Sequence, residues 1–256
     1  FDEYNQLVCD KAFSLPSQQG LILPFGGWKR ALRKWKRDGQ TVGLDKSAWD
    51  WTAPYWTLRL DLELRFRLGR GKRMKDWRVL AEAMYKDAFC DSRIMFSNGV
   101  IYQQNIPGIM KSGLVNTIST NSNCQQFIHV EACFKLGIPV LPLPCCCGDD
   151  TLQQKKQVMD LSPYLEMGVV VKTVSEGIEF IGHEFSDSGP SPLYIEKHFV
   201  NLLYQKTENL PEYMDAMCRM YCHTNQFSFW EEVAGVLDIK TNSQQWYKYW
   251  YDVDSR

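Results

Sequence analysis

The chain has 256 residues, 45% hydrophobic and 23% charged, so it holds material for a sizeable core and is not a disordered polymer. Lys plus Arg number 29 against 30 Asp plus Glu, a net charge of −1, so no global field draws nucleic acid and an acidic partner must meet a local basic patch. No apolar run reaches the roughly 18 residues of a membrane span, and the longest candidate, Leu136 to Cys147, carries three prolines.

Residues 1–26 read as loop, punctuated by Pro16, Gly20, Pro24 and Gly26. The chain starts at Phe1 without a signal-peptide pattern and reads as a fragment or processed product. Trp28 to Asp38 predicts a helix with Trp28, Leu32 and Trp35 on one face and Lys29, Arg30, Arg33, Lys34, Lys36 and Arg37 on the other. Leu58 to Leu68 alternates apolar and charged residues, which argues a strand by periodicity, while its Leu, Arg and Glu content suits a helix equally well. Asp76 caps a helix carrying Trp77, Leu80, Ala81, Met84, Tyr85 and Ala88. Arg93 to Gln104 is two short apolar runs split by Asn98-Gly99, a hairpin signal. A helix is expected from about Gly113 to Leu136 and another between roughly Gln153 and Met167. Short apolar segments lie near Val140–Cys147, Val169–Val171 and Glu179–Ile181. The prolines at 139, 142 and 144 confine any strand before Gly148 to about Cys145–Cys147. Ser186–Pro192 marks a subdomain boundary, and the remainder is helical over Tyr194–Lys206, Pro211–His223 and Phe229–Leu237.

Nine cysteines, with Cys145, Cys146 and Cys147 consecutive, make a poor disulfide framework and favour a reducing compartment. Cys218, Cys222 and His223 offer at most three zinc ligands, and buried cysteine on an apolar helix face is the commoner arrangement. Gly148-Asp149-Asp150 puts two carboxylates at a tight turn, a pattern that suits either a divalent cation or a solvated turn. If Asp45 ends a strand beside that turn, it supplies the carboxylate that completes a two-metal site with Asp149. Between them, Ser112-Gly113 leads into a helix with Thr117 and Asn121 four apart on one face, among the small polar residues Ser119, Thr120 and Ser122. The cluster Arg65, Arg67, Arg70, Lys72, Arg73, Lys75 and the Lys29–Arg37 cluster each suit a phosphate-lined groove or a solvated helix face.

In this order the patterns resemble the palm of a viral RNA-dependent RNA polymerase: Asp45 with Asp50 as motif A, Ser112-Gly113 with Thr117 and Asn121 as motif B, Gly148-Asp149-Asp150 as motif C. Trp49-Asp50-Trp51, Pro107-Gly108 before Lys111-Ser112-Gly113, and Glu179 to Phe185 look most like the sobemovirus and polerovirus-like branch of positive-strand RNA viruses. The resemblance covers about Gly43 to Phe185. It implies an α+β fold: a right-hand polymerase palm, an RRM-like antiparallel sheet with helices on one face, followed by an all-helical thumb. The implied domains are a partial fingers segment at 1–42, palm at 43–186 and thumb at 187–256. No clear copy of the basic fingers motif that contacts the incoming triphosphate is present.

The resemblance further implies an RNA-directed RNA polymerase adding ribonucleoside monophosphates to an RNA 3′-hydroxyl with release of pyrophosphate. Asp45, Asp149 and Asp150 would hold Mg²⁺, with Mn²⁺ as a substitute. Asp50 and Asn121 would recognise the ribose, Thr117 would support sugar selection, and Ser112 and Gly113 would form a mobile loop beside the nascent pair. Lys172 matches a lysine proposed as general acid toward pyrophosphate, against a strand-end lysine facing water. Phe180 to His183 would be a primer-gripping hairpin, with His183 structural. Lys29, Arg30, Arg33, Lys34, Lys36 and Arg37 would contact RNA. Partners would be the RNA template and nascent strand, ribonucleoside triphosphates and other viral replication proteins in the host cytoplasm. Two rivals stand beside this: a reverse transcriptase-like polymerase, disfavoured because Asp50 occupies the position of that group's aromatic steric gate, and a non-catalytic RNA-binding scaffold.

Overall fold

A computed structural model describes residues 1–254. In chain order, α1 (Asp2–Asp10) and α2 (Gly27–Arg37) precede β1 (Gln40–Lys46). The short α3 (Trp49–Thr52), α4 (Tyr55–Leu68) and α5 (Met74–Phe89) follow, then the hairpin β2 (Arg93–Met95) and β3 (Ile101–Gln103). The long α6 (Thr117–Leu136) leads to β4 (Cys145–Cys147), β5 (Asp150–Gln154), α7 (Ser162–Glu166) and β6 (Val171–Val174). The rest comprises β7 (Ile178–Phe180), β8 (His183–Ser186), β9 (Gly189–Pro192), α8 (Ile195–Leu203), α9 (Leu210–Met220), α10 (Phe227–Val236) and α11 (Gln244–Asp252).

The chain forms two compact units, Phe1–Gly20 with Val42–Val174, and Leu21–Thr41 with the chain from Ser175 onward. Helix α2 and the β7–β9 strands both fall in the second unit. The first unit is built on a four-stranded sheet of order β4-β5-β1-β6, with β4–β5 and β1–β6 antiparallel. Its core gathers Leu44, Trp49, Leu58, Phe89, Met110, Cys124 and Ile128, burying apolar faces of sheet and helices together. In the second unit β7, β8 and β9 form an antiparallel sheet. Trp35 of α2 is fully buried there between the rings of Phe180 (5.5 Å) and Phe185 (5.0 Å).

Several sequence expectations change. Residues 2–10 are helical rather than loop; Asp2 and Glu3 favour its first turn, but only Val8 is buried, so no apolar stripe announces it. Leu58 to Leu68 is helix, not strand. Its buried positions are Thr57, Leu58, Asp61 and Arg65, while Leu60 and Leu68 face solvent, so apolar alternation does not track burial. The motif B helix begins at Thr117 rather than Gly113, because Gly113 sits at φ +94° and successive turns occupy the intervening residues. Between Gln153 and Met167, β5 and a 3₁₀ turn (Lys155–Gln157) precede α7 with Pro163 in its first turn, leaving five helical residues. Ser186–Pro192 spans the end of β8, a tight turn at Asp187-Ser188 and the whole of β9. Gly189 there has φ +127°, and a Cβ would lie 2.4 Å from the His223 ring.

Candidate nucleotide and metal site

The sheet places the carboxylates. Asp45 lies near the end of β1, opposite Thr173 of β6, and Lys46 opposite Val171, with a register shift between the two residues. The shift leaves Asp45 exposed and Lys46 4% exposed. On the other side of β1, β5 pairs with β4 through Cys147 opposite Asp150, so Gly148-Asp149 forms the hairpin tip. Gly148 takes φ +67°, which the tight turn requires. Its N–H donates to Ser122 Oγ at 3.0 Å, tying the tip to α6.

Lys46 is a site residue missed at the level of motifs. Its Nζ donates to Thr151 Oγ1 at 2.5 Å and to the carbonyls of Asp149 (3.2 Å) and Leu44 (3.4 Å). Burial lowers its pKa to about 8, with the nearby carboxylates of Asp149, Asp150 and Asp45 acting against that shift. The only sequence signal was a lysine following Asp45 in an apolar strand. Loss of solvation raises the Asp149 carboxyl above its ordinary value; Lys46 opposes this, while the like charges of Asp50 and Asp45 reinforce it.

Asp50 stands in the first turn of α3, after Ala48 in a left-handed conformation (φ 48°, ψ 42°). Its Oδ2 accepts a 2.5 Å hydrogen bond from Ser112 Oγ, and its backbone carbonyl accepts from Met110 N–H at 2.7 Å. Those two bonds hold the 108–113 loop against α3. Gln104 stiffens the same loop, donating to the carbonyls of Phe89, Ile106 and Gly108 and accepting from Lys111 Nζ at 2.6 Å. Thr117 Oγ1 donates to the Lys111 carbonyl at 2.8 Å. Asn121, one turn further along α6, accepts from Trp49 Nε1 at 2.9 Å.

Lys46, Asp50, Ser112, Thr117, Asn121 and Asp149 line one cleft of about 700 Å³. Asp45, Asp150, Gly113 and Lys172 are not among its lining residues. Lys172 is a strand residue whose Nζ lies 3.5 Å from Asp45 Oδ2, the two side chains being 66% and 49% exposed. The basic residues of α2 are not a bare cationic face. Lys29 pairs with Asp252 (3.7 Å), Lys34 and Arg37 with Asp38 (3.2 and 2.9 Å), and Lys36 with Asp187 (2.6 Å). Arg33 is exposed and donates to the Lys29 carbonyl, and Arg30 is half-buried. Arg65 drops out of the second basic cluster: it is 4% exposed and pairs with Asp61 at 2.9 Å.

Ser119, Thr120 and Asn123 of α6 serve the same pair. Asp61, 0% exposed, accepts from Arg65 Nε, Tyr85 OH (2.6 Å), Thr120 Oγ1 (2.9 Å) and Asn123 Nδ2 (2.6 Å). Arg65 Nη2 donates to Ser119 Oγ at 2.8 Å. A buried ion pair demands such partners.

No family model matches the sequence. The sequence is 33% identical over 141 residues to Protein P1-P2 of potato leafroll virus, covering 55% of this chain and 12% of that one. It is 31% identical over 157 residues to the replicase polyprotein P2AB of Southern cowpea mosaic virus, covering 60% and 15%. The chain thus spans well under a fifth of the curated relatives it matches. In structure it superposes on the Sicinivirus 3Dpol RNA-dependent RNA polymerase with a TM-score of 0.71 at 14% identity, covering 93% of this chain and 56% of that one. The fold is that of viral RNA-dependent RNA polymerases. The RNA-dependent RNA polymerase of a human picobirnavirus matches at a TM-score of 0.66 and 14% identity, covering 98% of this chain and 49% of that polymerase. The polymerase fold and the polerovirus and sobemovirus relatives agree with the branch that the motifs resemble. The mixed helix and sheet content agrees with an α+β palm.

Proposed function

We propose that the chain is the palm and thumb portion of an RNA-directed RNA polymerase, with α8–α11 as the thumb. The observation that carries this is the convergence of Asp50, Ser112, Asn121 and Asp149 on one cleft of a polymerase fold. Asp50 has one carboxylate oxygen engaged by Ser112, which leaves the other to accept from a ribose 2′-hydroxyl. Thr117, bonded to the loop behind Ser112, holds the α6 end in register with that loop.

The carboxylates suit a hard divalent cation. Burial raises the Asp149 carboxyl, and the like charges of Asp50 and Asp45 add to it, a repulsion that bound Mg²⁺ or Mn²⁺ would relieve. Among the described residues no three possible ligands stand grouped in advance of the ion. The neighbouring Cys147 thiol is pushed up to about 11 by burial and stays protonated, so the donor set is oxygen. Asp45 and Asp149 would hold the metal, with Asp150 assisting. When bound, the cation would lower the pKa of the attacking 3′-hydroxyl and neutralise the leaving pyrophosphate. The protein's own contribution is positioning. Lys46 fixes the Asp149 backbone from below, and Lys172, tethered to Asp45, would supply a proton to pyrophosphate. RNA template and nascent strand, ribonucleoside triphosphates, other viral replication proteins and a host-cytoplasmic setting belong to the same proposal. The exposed cations of α2, above all Arg33, would meet RNA phosphates there.

The test is Mg²⁺- or Mn²⁺-dependent extension of a primed RNA template by this chain, alone and with upstream sequence supplied, against the Asp149→Asn variant. Extension lost in the variant supports the proposal. No extension under either condition, with RNA still bound, refutes it and leaves an RNA-binding scaffold.

A further inference from the structure

Asn121 is a side chain whose usefulness depends on which way its amide points. Its carboxamide can offer either an acceptor or a donor to the cleft, and the two read opposite features of a ligand. The structure settles the orientation by chemistry. Trp49 Nε1 lies 2.9 Å from the Asn121 side chain, and an indole nitrogen can only donate, so the atom facing it is Oδ1. Oδ1 is therefore held toward the indole, and among the described residues nothing accepts from Nδ2. Asn121 lines the cleft and is 5% exposed; Trp49 is 2% exposed and packed into the core of the first unit.

The backbone explains why adjacent residues reach such different places. Ala48, in the left-handed region, turns the chain into α3, so that Trp49 packs into the core and floors the cleft beside Asn121, while Asp50 lines the same cleft with its Oδ2 held by Ser112. A non-glycine residue keeps such a conformation only where its surroundings enforce it.

We infer that Trp49 is a specificity-determining positioning residue: its indole N–H locks the Asn121 amide so that the NH₂ group faces the cleft as a donor beside the Asp50 acceptor. This rests on the nucleotide-site reading above and deepens it. A hydroxyl is the group that both donates and accepts. With Asp50 Oδ1 accepting and Asn121 Nδ2 donating, the cleft presents the complement of one hydroxyl, and a sugar bearing hydrogen at that position would leave both partners unsatisfied. Without the Trp49 N–H, the amide is free to rotate and to present its carbonyl to the same hydroxyl beside the Asp50 carboxylate, acceptor next to acceptor.

The experiment uses the full chain with Mg²⁺ and a primed RNA template ending in a 3′-deoxynucleotide, so that ATP or 2′-deoxyATP binds opposite template U without being added. Affinity for each is measured in wild type, Trp49→Phe, Asn121→Ala and the double variant. Trp49→Phe is expected to lower the ATP over 2′-deoxyATP preference about 3- to 10-fold, mainly by weakening ATP. In the Asn121→Ala background the same change should leave the preference alone, which a purely structural role for the tryptophan would not predict. Benzothienylalanine at position 49 keeps the ring shape without the N–H, and it should reproduce the Phe result even if Phe leaves a damaging cavity. A preference unchanged in both position-49 variants but lost in Asn121→Ala overturns the inference and spares the nucleotide site. A wild-type chain that binds both nucleotides equally, or neither, overturns the nucleotide-site reading and the inference with it.

Discussion

Replacing Asp61 by Ala removes the one negative charge facing Arg65 in a place water does not reach, the two side chains being 0% and 2% exposed. It also strands the hydroxyls of Tyr85 and Thr120 and the amide of Asn123, each of which donates to Asp61. Breaking a buried pair from one side costs roughly 3–5 kcal/mol, and an orphaned buried donor about 1–3 kcal/mol. Some bonds survive the change: Thr120 Oγ1 still accepts from Arg65 Nη2 (3.3 Å) and Asn116 Nδ2 (3.1 Å), and Tyr85 OH still accepts from Asn116 Nδ2 (3.3 Å). A loss of about 4–6 kcal/mol is therefore expected, a large share of the roughly 5–15 kcal/mol that stabilises an ordinary domain. Urea unfolding followed by tryptophan fluorescence reads this as a fall in midpoint at constant slope. The double change Asp61→Leu with Arg65→Met discriminates between causes. If the cost lies in the stranded charge, the double variant should be at least about 2 kcal/mol more stable than Asp61→Ala, because removing both charges avoids their desolvation. A loss under about 1 kcal/mol in Asp61→Ala, or a double variant less stable than it, would refute the reasoning.

Two further outcomes follow from single contacts. Lys46 has a folded pKa of about 8 against 10.5 ordinarily, so between those values the unfolded chain binds more protons. Its burial penalty is fully present below pH 8 and is relieved as pH rises toward 10.5. Metal-free stability should therefore gain up to about 1.4 kcal/mol per pH unit in that window, from this group. The gain should vanish in Lys46→Met, as pH-dependent urea titration would show, and an identical slope in the variant would contradict the assignment. Gly189→Ala puts a Cβ 2.4 Å from the His223 ring in a backbone conformation that side chains rarely adopt. It should cost about 2–4 kcal/mol, and a thermal midpoint unchanged within 1–2 °C, the scale of a few tenths of a kcal/mol, would show that the ring yields freely.

Much of the site was legible because its residues obey local rules. Trp28, Leu32 and Trp35 mark α2 by helical spacing, Asn98-Gly99 marks the hairpin, and the prolines limit β4 to the three cysteines, as the structure has them. The order of acidic and small polar patterns pointed to the polymerase fold that the superpositions then gave. What escaped was burial of polar groups. Asp61 and Arg65 occupy core positions that periodicity assigns to apolar residues, so α4 imitates a strand and a buried guanidinium passes for a phosphate contact. Gln157 is similar: its buried amide donates to the carbonyls of Pro139, Val140 and Pro142, which anchors a 3₁₀ turn after β5 where the sequence predicts a helix. Asp61 and Arg65 are neighbours on one helix, but the Tyr85, Thr120 and Asn123 groups that make Asp61's burial tolerable come from other segments, as do the carbonyls that hold Gln157, so no short window of the chain contains its own explanation.

The register shift between Asp45 and Lys46 makes the length of β1 as consequential as its composition. A one-residue deletion upstream of Asp45 would move every following side chain to the opposite side of the sheet. Asp45 would then take the buried place of Leu44, an unpaired carboxylate in the apolar core. Lys46 would take the exposed place of Asp45, an ammonium pointing outward where the carboxylate now stands and no longer reaching the Asp149 carbonyl. Such a deletion changes no functional residue yet inverts the local charge, so drift in this strand should be confined to substitution, with gains and losses of residues relegated to the turns on either side.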